Sequence, residues 1–226
     1  MNANPYYVQT QSAQLTLVQR VSLLLCTALL VTAGAATWAI SVQMPSGLVF
    51  PLAIAAFVCV FALGATRRNA GLGLVLLYVL SLLEGLVIGP MLGMIMSSFA
   101  NGPMIVAESA ALSAILVGGL GTYAWISSRD FGSLGKSLFW ALIALIVVGF
   151  ISAFVHLGGF MQMLYALAGT AIFCGYVLYD VSNIKLRYGP NDAVIATVQL
   201  YLDFLNIFMF IVQILTNVSG GSRRSD

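Results

Sequence analysis

Three acidic side chains lie inside long apolar stretches of this 226-residue sequence: Glu84, Asp180 and Asp203. A charged side chain at the centre of a lipid bilayer costs about 2.5–3.5 kcal/mol even on the mildest insertion scales. Such residues are retained where they pair with one another, carry protons or line a path for ions. These carboxyl groups are therefore the first candidates for chemistry, and that chemistry is proton binding or cation contact.

Asp180 and Asp203 are placed almost symmetrically about a turn signal, Tyr188-Gly189-Pro190-Asn191. If antiparallel helices flank that turn, the two carboxyl groups lie at matched depth on neighbouring helices, roughly 10–15 Å inside the membrane surface. Two carboxyl groups so placed do not both ionise readily, and they titrate as a unit. We expect them to share one proton near neutral pH and so to tie the two helices together.

The last predicted helix carries a polar seam on one face. Its members are spaced by about one or two helical turns, which places them on the same side of the helix. They are Asp192, Gln199, Asp203, Asn206, Gln213 and Asn217. Unsatisfied amides are costly in lipid, so this helix is either surrounded by protein or lines a wet path. Ordinary hydrogen bonds between helices are the alternative explanation of the amides.

Glu84 is expected about 20 Å deep in its helix, a few residues before Gly89-Pro90. Such a pair is expected to kink the helix and free backbone carbonyl groups, as in helices that line transport sites. The alternative is a protonated Glu84 that is hydrogen-bonded to a neighbour. Glu108, in contrast, falls in a first helical turn, where the helix dipole favours a carboxylate.

The cysteines and the lone histidine give no sign of a metal centre. Cys26, Cys59 and Cys174 all lie within apolar runs, where free cysteine acts as a small buried hydrophobe. His156 stands alone near the end of a run, which indicates an interfacial position. We expect no cofactor and no tight metal site, only weak contact of a cation with Asp180 and Asp203.

The composition excludes most soluble classes. Apolar residues make up 61% of the chain, and nine Lys/Arg with seven Asp/Glu make up 7%. A soluble domain carries about 25% charged residues, so a soluble enzyme, a disordered chain and a nucleic-acid-binding protein are excluded. A protein that crosses the bilayer several times remains.

Long charge-free runs, separated by Gly, Pro and Asn, predict an all-α integral membrane protein with seven transmembrane helices and the polar-seamed seventh helix at the centre. Residues 1–19 are predicted to form a flexible tail, residues 20–217 the transmembrane domain and residues 218–226 a second tail. The predicted helices are residues 20–42, 48–66, 71–98, 104–126, 136–157, 160–184 and 193–217.

The distribution of Lys and Arg predicts a cytoplasmic N-terminus in the cell (inner) membrane. With that orientation three predicted loops that hold basic residues face the cytoplasm, and the three opposite loops hold none. The basic residues are Arg67 and Arg68, Arg129 and Lys136, and Lys185 and Arg187. If the seventh helix crosses the membrane fully, Arg223 and Arg224 lie on the side opposite the other basic residues. The side of the C-terminus is therefore left open.

Several motifs resemble the Bax-inhibitor (transmembrane Bax inhibitor motif) family over residues 20–216. They are Tyr179-Asp180-Val181-Ser182-Asn183-Ile184, Leu200-Tyr201-Leu202-Asp203-Phe204-Leu205-Asn206-Ile207-Phe208, Ser128-Arg129-Asp130-Phe131-Gly132-Ser133-Leu134-Gly135 and the stretch from Gly85 to Pro90. The resemblance implies a seven-helix fold and a pH-sensitive calcium leak with the two aspartates as the sensor. It also implies that Arg67 latches the aspartate pair. A bacterial branch that modulates an FtsH-type membrane protease is resembled about equally well.

Three functions follow from these observations. The first is a proton-gated cation leak with the lipid bilayer, protons and calcium as its partners; Glu84, Gln199, Asn206 and Gln213 are its candidate pore-lining residues. The second is a non-transporting regulator of a membrane protease or of cell death. The third, an intramembrane aspartyl protease, is disfavoured because Asp203 follows Tyr-Leu rather than a Gly-x-Gly pattern. We therefore predict no enzymatic activity.

Overall fold

The computed structural model describes the backbone of residues 5–66, 69–152, 154–155 and 158–222, and the side chains of that set from residue 14 to residue 220. Seven helices in this set are long and apolar enough to cross a membrane. The protein is an all-α integral membrane protein. The helices are α1 (Pro5–Ser41), α2 (Val49–Ala65), α3 (Ala70–Ser98), α4 (Gly102–Ile126), α5 (Gly135–Ser152), α6 (Gly159–Leu186) and α7 (Ala193–Val218).

Most helix ends agree with the sequence prediction to within two residues, and two differ. α1 begins at Pro5 rather than at residue 20, because proline suits the first helical position and neither Gly nor Pro follows before residue 20. α5 ends at Ser152 rather than at residue 157. There the Phe154 N–H bonds to the Ile151 carbonyl 3.0 Å away, a tighter turn than the α-helix. His156 lies outside the described residues.

The chain divides into two compact units, and the first comprises residues 1–94 and 184–201. In this unit α3 packs closely on α1 through glycine. A Cβ atom on Gly85 would overlap the Thr32 carbonyl oxygen, and one on Gly89 would lie 2.8 Å from the Ala39 Cβ. α3 continues as a helix through Pro90 to Ser98, so it is not interrupted there, and the kink stays a prediction. The glycines serve close helix packing.

The second unit comprises residues 95–183 and 202–226. Here α6 packs against α7 through aromatic rings. A Cβ atom on Gly169 would overlap the Phe210 ring, so glycine is required there. The Phe210 ring centroid lies 5.6 Å from that of Tyr165 and 6.1 Å from that of Phe173. These contacts fix the facing surfaces of α6 and α7, the helices that carry the two aspartates.

The loop before α5 is attached to α6 close to Asp180. The Ser182 hydroxyl donates to the Asp130 carboxylate at 3.2 Å and accepts from the Phe131 N–H at 3.1 Å. Asp130 also accepts from the Gly132 N–H at 2.8 Å. This loop therefore holds the end of α6 in place.

α7 is the most enclosed helix of the described set. In its most apolar window 67% of the residues are buried, against 6% to 33% for the other six spanning helices. This burial confirms that the polar-seamed helix is surrounded by protein rather than by lipid. A polar seam on an enclosed helix can be satisfied by neighbouring helices, which removes the cost of placing it in the membrane.

Candidate functional site

Asp180 and Asp203 form a buried pair, as the hairpin geometry predicts. Each side chain is only 4% exposed. Their carboxyl groups lie close enough to hydrogen-bond to each other. Two ionised carboxylates only accept hydrogen bonds, so a bond between them requires that one of the two carries a proton. A hydrogen bond between these two acids would therefore hold one shared proton.

One further oxygen of each aspartate supports this interpretation. Asp180 Oδ1 and Asp203 Oδ2 are buried and have no hydrogen-bond partner among the residues that the structure describes. A buried oxygen without a donor is costly, more so if it carries negative charge. Protons or a cation would satisfy these oxygens.

Other ionisable side chains of the second unit surround the pair. The Tyr176 hydroxyl lies close enough to interact electrostatically with both carboxyl groups, and the Cys174 thiol does so with Asp203. The Tyr176 ring stands edge-on to Tyr179 at a centroid distance of 6.4 Å. Phenol and thiol groups carry no positive charge, so they do not balance the charge of an ionised carboxylate.

Three other members of the polar seam make local hydrogen bonds away from the aspartate pair. The Tyr188 hydroxyl donates to Gln199 Oε1 at 2.8 Å, which closes the turn between α6 and α7. Asn206 Nδ2 donates to the Leu202 carbonyl of its own helix at 2.7 Å. Asp192 Oδ2 accepts from the Gly189 N–H at 3.0 Å and caps the turn. These bonds explain the three side chains structurally, and a pore-lining role for Gln199 and Asn206 stays a prediction.

Gln213 and Asn217 line a cavity of about 790 Å³ in the second unit. The cavity lies where α5 ends, α6 begins and α7 ends. Asn217 Nδ2 donates to the Gly159 carbonyl at 3.1 Å and ties two of these ends together. Gln162 and Tyr165 line the same cavity. The polar seam therefore ends at a half-open cavity that other polar side chains also line.

Glu84 lies in the first unit, half-buried on α3. It is close enough to Tyr201 of α7 for an electrostatic interaction. The Tyr201 hydroxyl is fully buried and lies 2.7 Å from Thr32 Oγ1, which is 3.1 Å from the Ser81 carbonyl. This arrangement joins α1, α3 and α7. Sequence reasoning did not single out Tyr201 or Thr32; the position of Tyr201, two residues before Asp203, was the available signal.

The Tyr201 bond gives a stability prediction. Thr32 Oγ1 lies within hydrogen-bond distance of two backbone carbonyls and of the Tyr201 hydroxyl, so removing that hydroxyl breaks a buried bond whichever of the two hydroxyls donates it. Tyr201→Phe should lower the free energy of unfolding by about 0.6–1.7 kcal/mol, the range for buried bonds between membrane helices. Thermal unfolding in detergent measures the loss.

Tyr78→Phe is the matched control. Tyr78 makes the same kind of bond to Thr27, at 2.9 Å, but this bond is only partly buried. The control should lose less stability than Tyr201→Phe. Equal losses of stability in the two variants would show that the buried bond of Tyr201 contributes no more than the partly buried bond of Tyr78.

Arg67, the predicted latch, lies outside the described residues. Within the described part, no three His, Cys, Asp or Glu side chains converge on one point. A hard cation such as Ca²⁺ takes 6–8 oxygen ligands, and the aspartate pair supplies few of them. The pair can contact a passing cation but does not build a storage site by itself.

Fold and site together define a class: a multi-pass helical membrane protein with a buried acidic pair on its last two helices. The sequence profile of the family Bax1-I, described as inhibitor of apoptosis-promoting Bax1, matches residues 14–220. The chain belongs to this Bax inhibitor family.

Relatives occur in bacteria, fungi and plants. An uncharacterized protein of Helicobacter pylori strain J99 is 34% identical over 189 residues, which cover 83% of this chain and 80% of the relative. Bax inhibitor 1 of Schizosaccharomyces pombe is 35% identical over 62% of this chain and 51% of the relative. Protein LIFEGUARD 2 of Arabidopsis thaliana is 37% identical over 54% of this chain and 52% of the relative. The chain thus matches about half the length of the last two.

Proposed function

We propose that this protein is a pH-sensitive cation leak in a cell membrane, with calcium as a permeant ion and the Asp180–Asp203 pair as the gate. The observation that carries the proposal is the buried carboxyl pair, in which one oxygen of each side chain has no hydrogen-bond partner among the described residues. A buried acidic pair responds to pH and attracts cations, and these are the two properties that such a leak requires.

Protons act as the ligand of the gate. With one shared proton, the bond between Asp180 and Asp203 ties α6 to α7. Loss of that proton adds repulsion between two carboxylates, and gain of a second proton removes the remaining negative charge. Either change shifts a two-state helix arrangement, provided that the two states bind protons with different affinity. Arg67, by the family resemblance, stabilises the singly charged pair.

Weak binding suits conduction. An ion must enter its site readily and also leave it, so a tight site blocks flow. Two acids hold Ca²⁺ less firmly than the 6–8 oxygen ligands of a storage site. Glu84 of α3, which lies near Tyr201 of α7, is the third acid inside the spans. It would tune the size of the flux rather than its pH dependence.

Cation flux through the purified protein tests the proposal. Protein reconstituted into liposomes with an internal calcium dye should admit calcium at a rate that changes with pH, relative to empty liposomes. A protein that only regulates a membrane protease or a cell-death pathway would carry no flux at any pH. The family description, inhibitor of apoptosis-promoting Bax1, and the name of the fission yeast relative, Bax inhibitor 1, favour a cell-death regulator as the second candidate.

We also propose that the N-terminus is cytoplasmic, on the basis of the basic loops. Ser133→Cys, in a variant without the three native cysteines, should react with an impermeant thiol reagent only after cells are opened. Gly158→Cys, on the opposite side, should react in intact cells. Labelling of residue 133 in intact cells would reverse the orientation. Ser222→Cys then reports the side of the C-terminus.

A further inference from the structure

We propose, on the basis of the leak function above, that the cavity in the second unit is a vestibule that holds a hydrated cation on its way to Asp203. The cavity is formed by the end of α5, the start of α6 and the end of α7, with Ile95 and Phe99 from the end of α3 at its wall. Only Gln213 of this lining is a candidate pore residue from the sequence, so the cavity adds a second station to the path.

The first argument is unused hydrogen-bonding capacity. The side chains of Gln162, Gln213 and Tyr165 all line the cavity, and none of the three makes a hydrogen bond to another described residue. Carboxamide and phenol groups in a membrane-embedded unit need partners, because leaving them unpaired away from water is costly. Water in the cavity supplies these partners, so the cavity is wet.

The second argument is size. The cavity measures about 790 Å³, and one water takes about 30 Å³ of liquid volume. A calcium ion with six to eight waters therefore needs about 240 Å³ and fits with its shell intact. The cavity can accept the ion without the cost of removing that shell.

The third argument is the chemistry of the wall. The described lining carries carboxamides, hydroxyls and apolar groups but no charged side chain. Neutral oxygens hold the water shell of a cation by hydrogen bonds and do not trap the ion, which suits passage. Six polar side chains of the lining make the cavity unsuitable for a lipid tail. They are Ser152, Gln162, Tyr165, Gln213, Thr216 and Asn217.

The fourth argument is continuity with the gate. Gln213 and Asp203 lie on the same helix, ten residues apart, which is about 15 Å along the axis. Asn206 lies between them on the same face, with its amide nitrogen bonded to the Leu202 carbonyl and its side-chain oxygen available as an acceptor. α7 thus connects the vestibule to the aspartate pair through neutral oxygen atoms.

Charged thiol reagents test the vestibule in the reconstituted, full-length protein. In a variant without native cysteines, Gln162→Cys should react with a positively charged and with a negatively charged methanethiosulfonate. The positive adduct should reduce calcium flux about threefold or more relative to the negative adduct, because a fixed charge within several ångströms repels the ion. Leu164→Cys, two residues away and 44% exposed toward lipid, is the matched control and should not react.

The outcomes separate the two proposals. If the unmodified protein carries no calcium flux, the leak function fails, and the vestibule fails with it. If flux is present but both adducts leave it unchanged, the vestibule alone is wrong. Reaction of Leu164→Cys at the rate of Gln162→Cys would also overturn it, since the cavity would not be a distinct wet space. Gln213→Cys repeats the experiment from α7 if Gln162→Cys does not fold.

Discussion

Asp203→Asn and Asp180→Asn should each abolish the pH dependence of calcium flux in liposomes. An asparagine amide donates a hydrogen bond to the remaining carboxylate at every pH, so the pair no longer needs a proton to stay joined. A step controlled by one proton changes by up to about tenfold per pH unit. In each variant we expect the flux to vary by less than about twofold between about pH 6 and pH 8.

Asp192→Asn is the matched control for this experiment. It removes one carboxylate from the turn that leads into α7, where Asp192 accepts from the Gly189 N–H, and asparagine can keep that bond. Its pH profile should match that of the unsubstituted protein. If both pair variants retained the original profile, the aspartates would not be the sensor. Glu84→Gln should change the size of the flux and leave its pH dependence in place.

The spans and the aspartate pair were predictable because each depends on information that is local in the sequence. Charge-free runs of sufficient length have few structures open to them in a bilayer, so helix existence follows directly. Asp180 and Asp203 flank a single tight turn, and antiparallel helices joined by such a turn match residues at equal distance from it. The observed pair at 4% exposure confirms this reasoning.

The contacts between distant helices were not predictable in the same way. The bond between Tyr201 and Thr32 joins residues 169 positions apart, and no pattern in either helix identifies the other as its neighbour. The cavity at the end of α7 likewise depends on where three helix ends meet. The polar seam predicted that α7 is enclosed, but it did not show that Gln199 bonds to a turn residue while Gln213 faces a cavity.

The Gly89-Pro90 pair shows how one motif supports two structures. Proline inside a helix usually bends it, which led to the prediction of a kink with freed carbonyl groups. α3 remains helical from Ala70 to Ser98. Glycines every fourth residue also permit close helix contact. A partner helix with small side chains favours that close contact. α1 supplies that partner with Ala35 and Ala39.

Gly85→Val should have the largest effect on stability. Even a single Cβ atom at this position would overlap the Thr32 carbonyl oxygen and lie 2.6 Å from the Ala35 Cβ. The helix backbone cannot move aside as a flexible side chain can, so α1 and α3 must separate. Overpacking of this kind costs about 1–3 kcal/mol or more, and the loss extends to the bond between Thr32 and Tyr201. We expect a clearly lower unfolding temperature in detergent and less monodisperse protein on size exclusion.

Gly118→Ala, where a Cβ atom meets nothing within 4 Å, is the control and should lose no stability, because alanine favours a helix more than glycine does. A Gly85→Val protein as stable as this control would show that α1 and α3 do not pack as closely as the glycine contacts require.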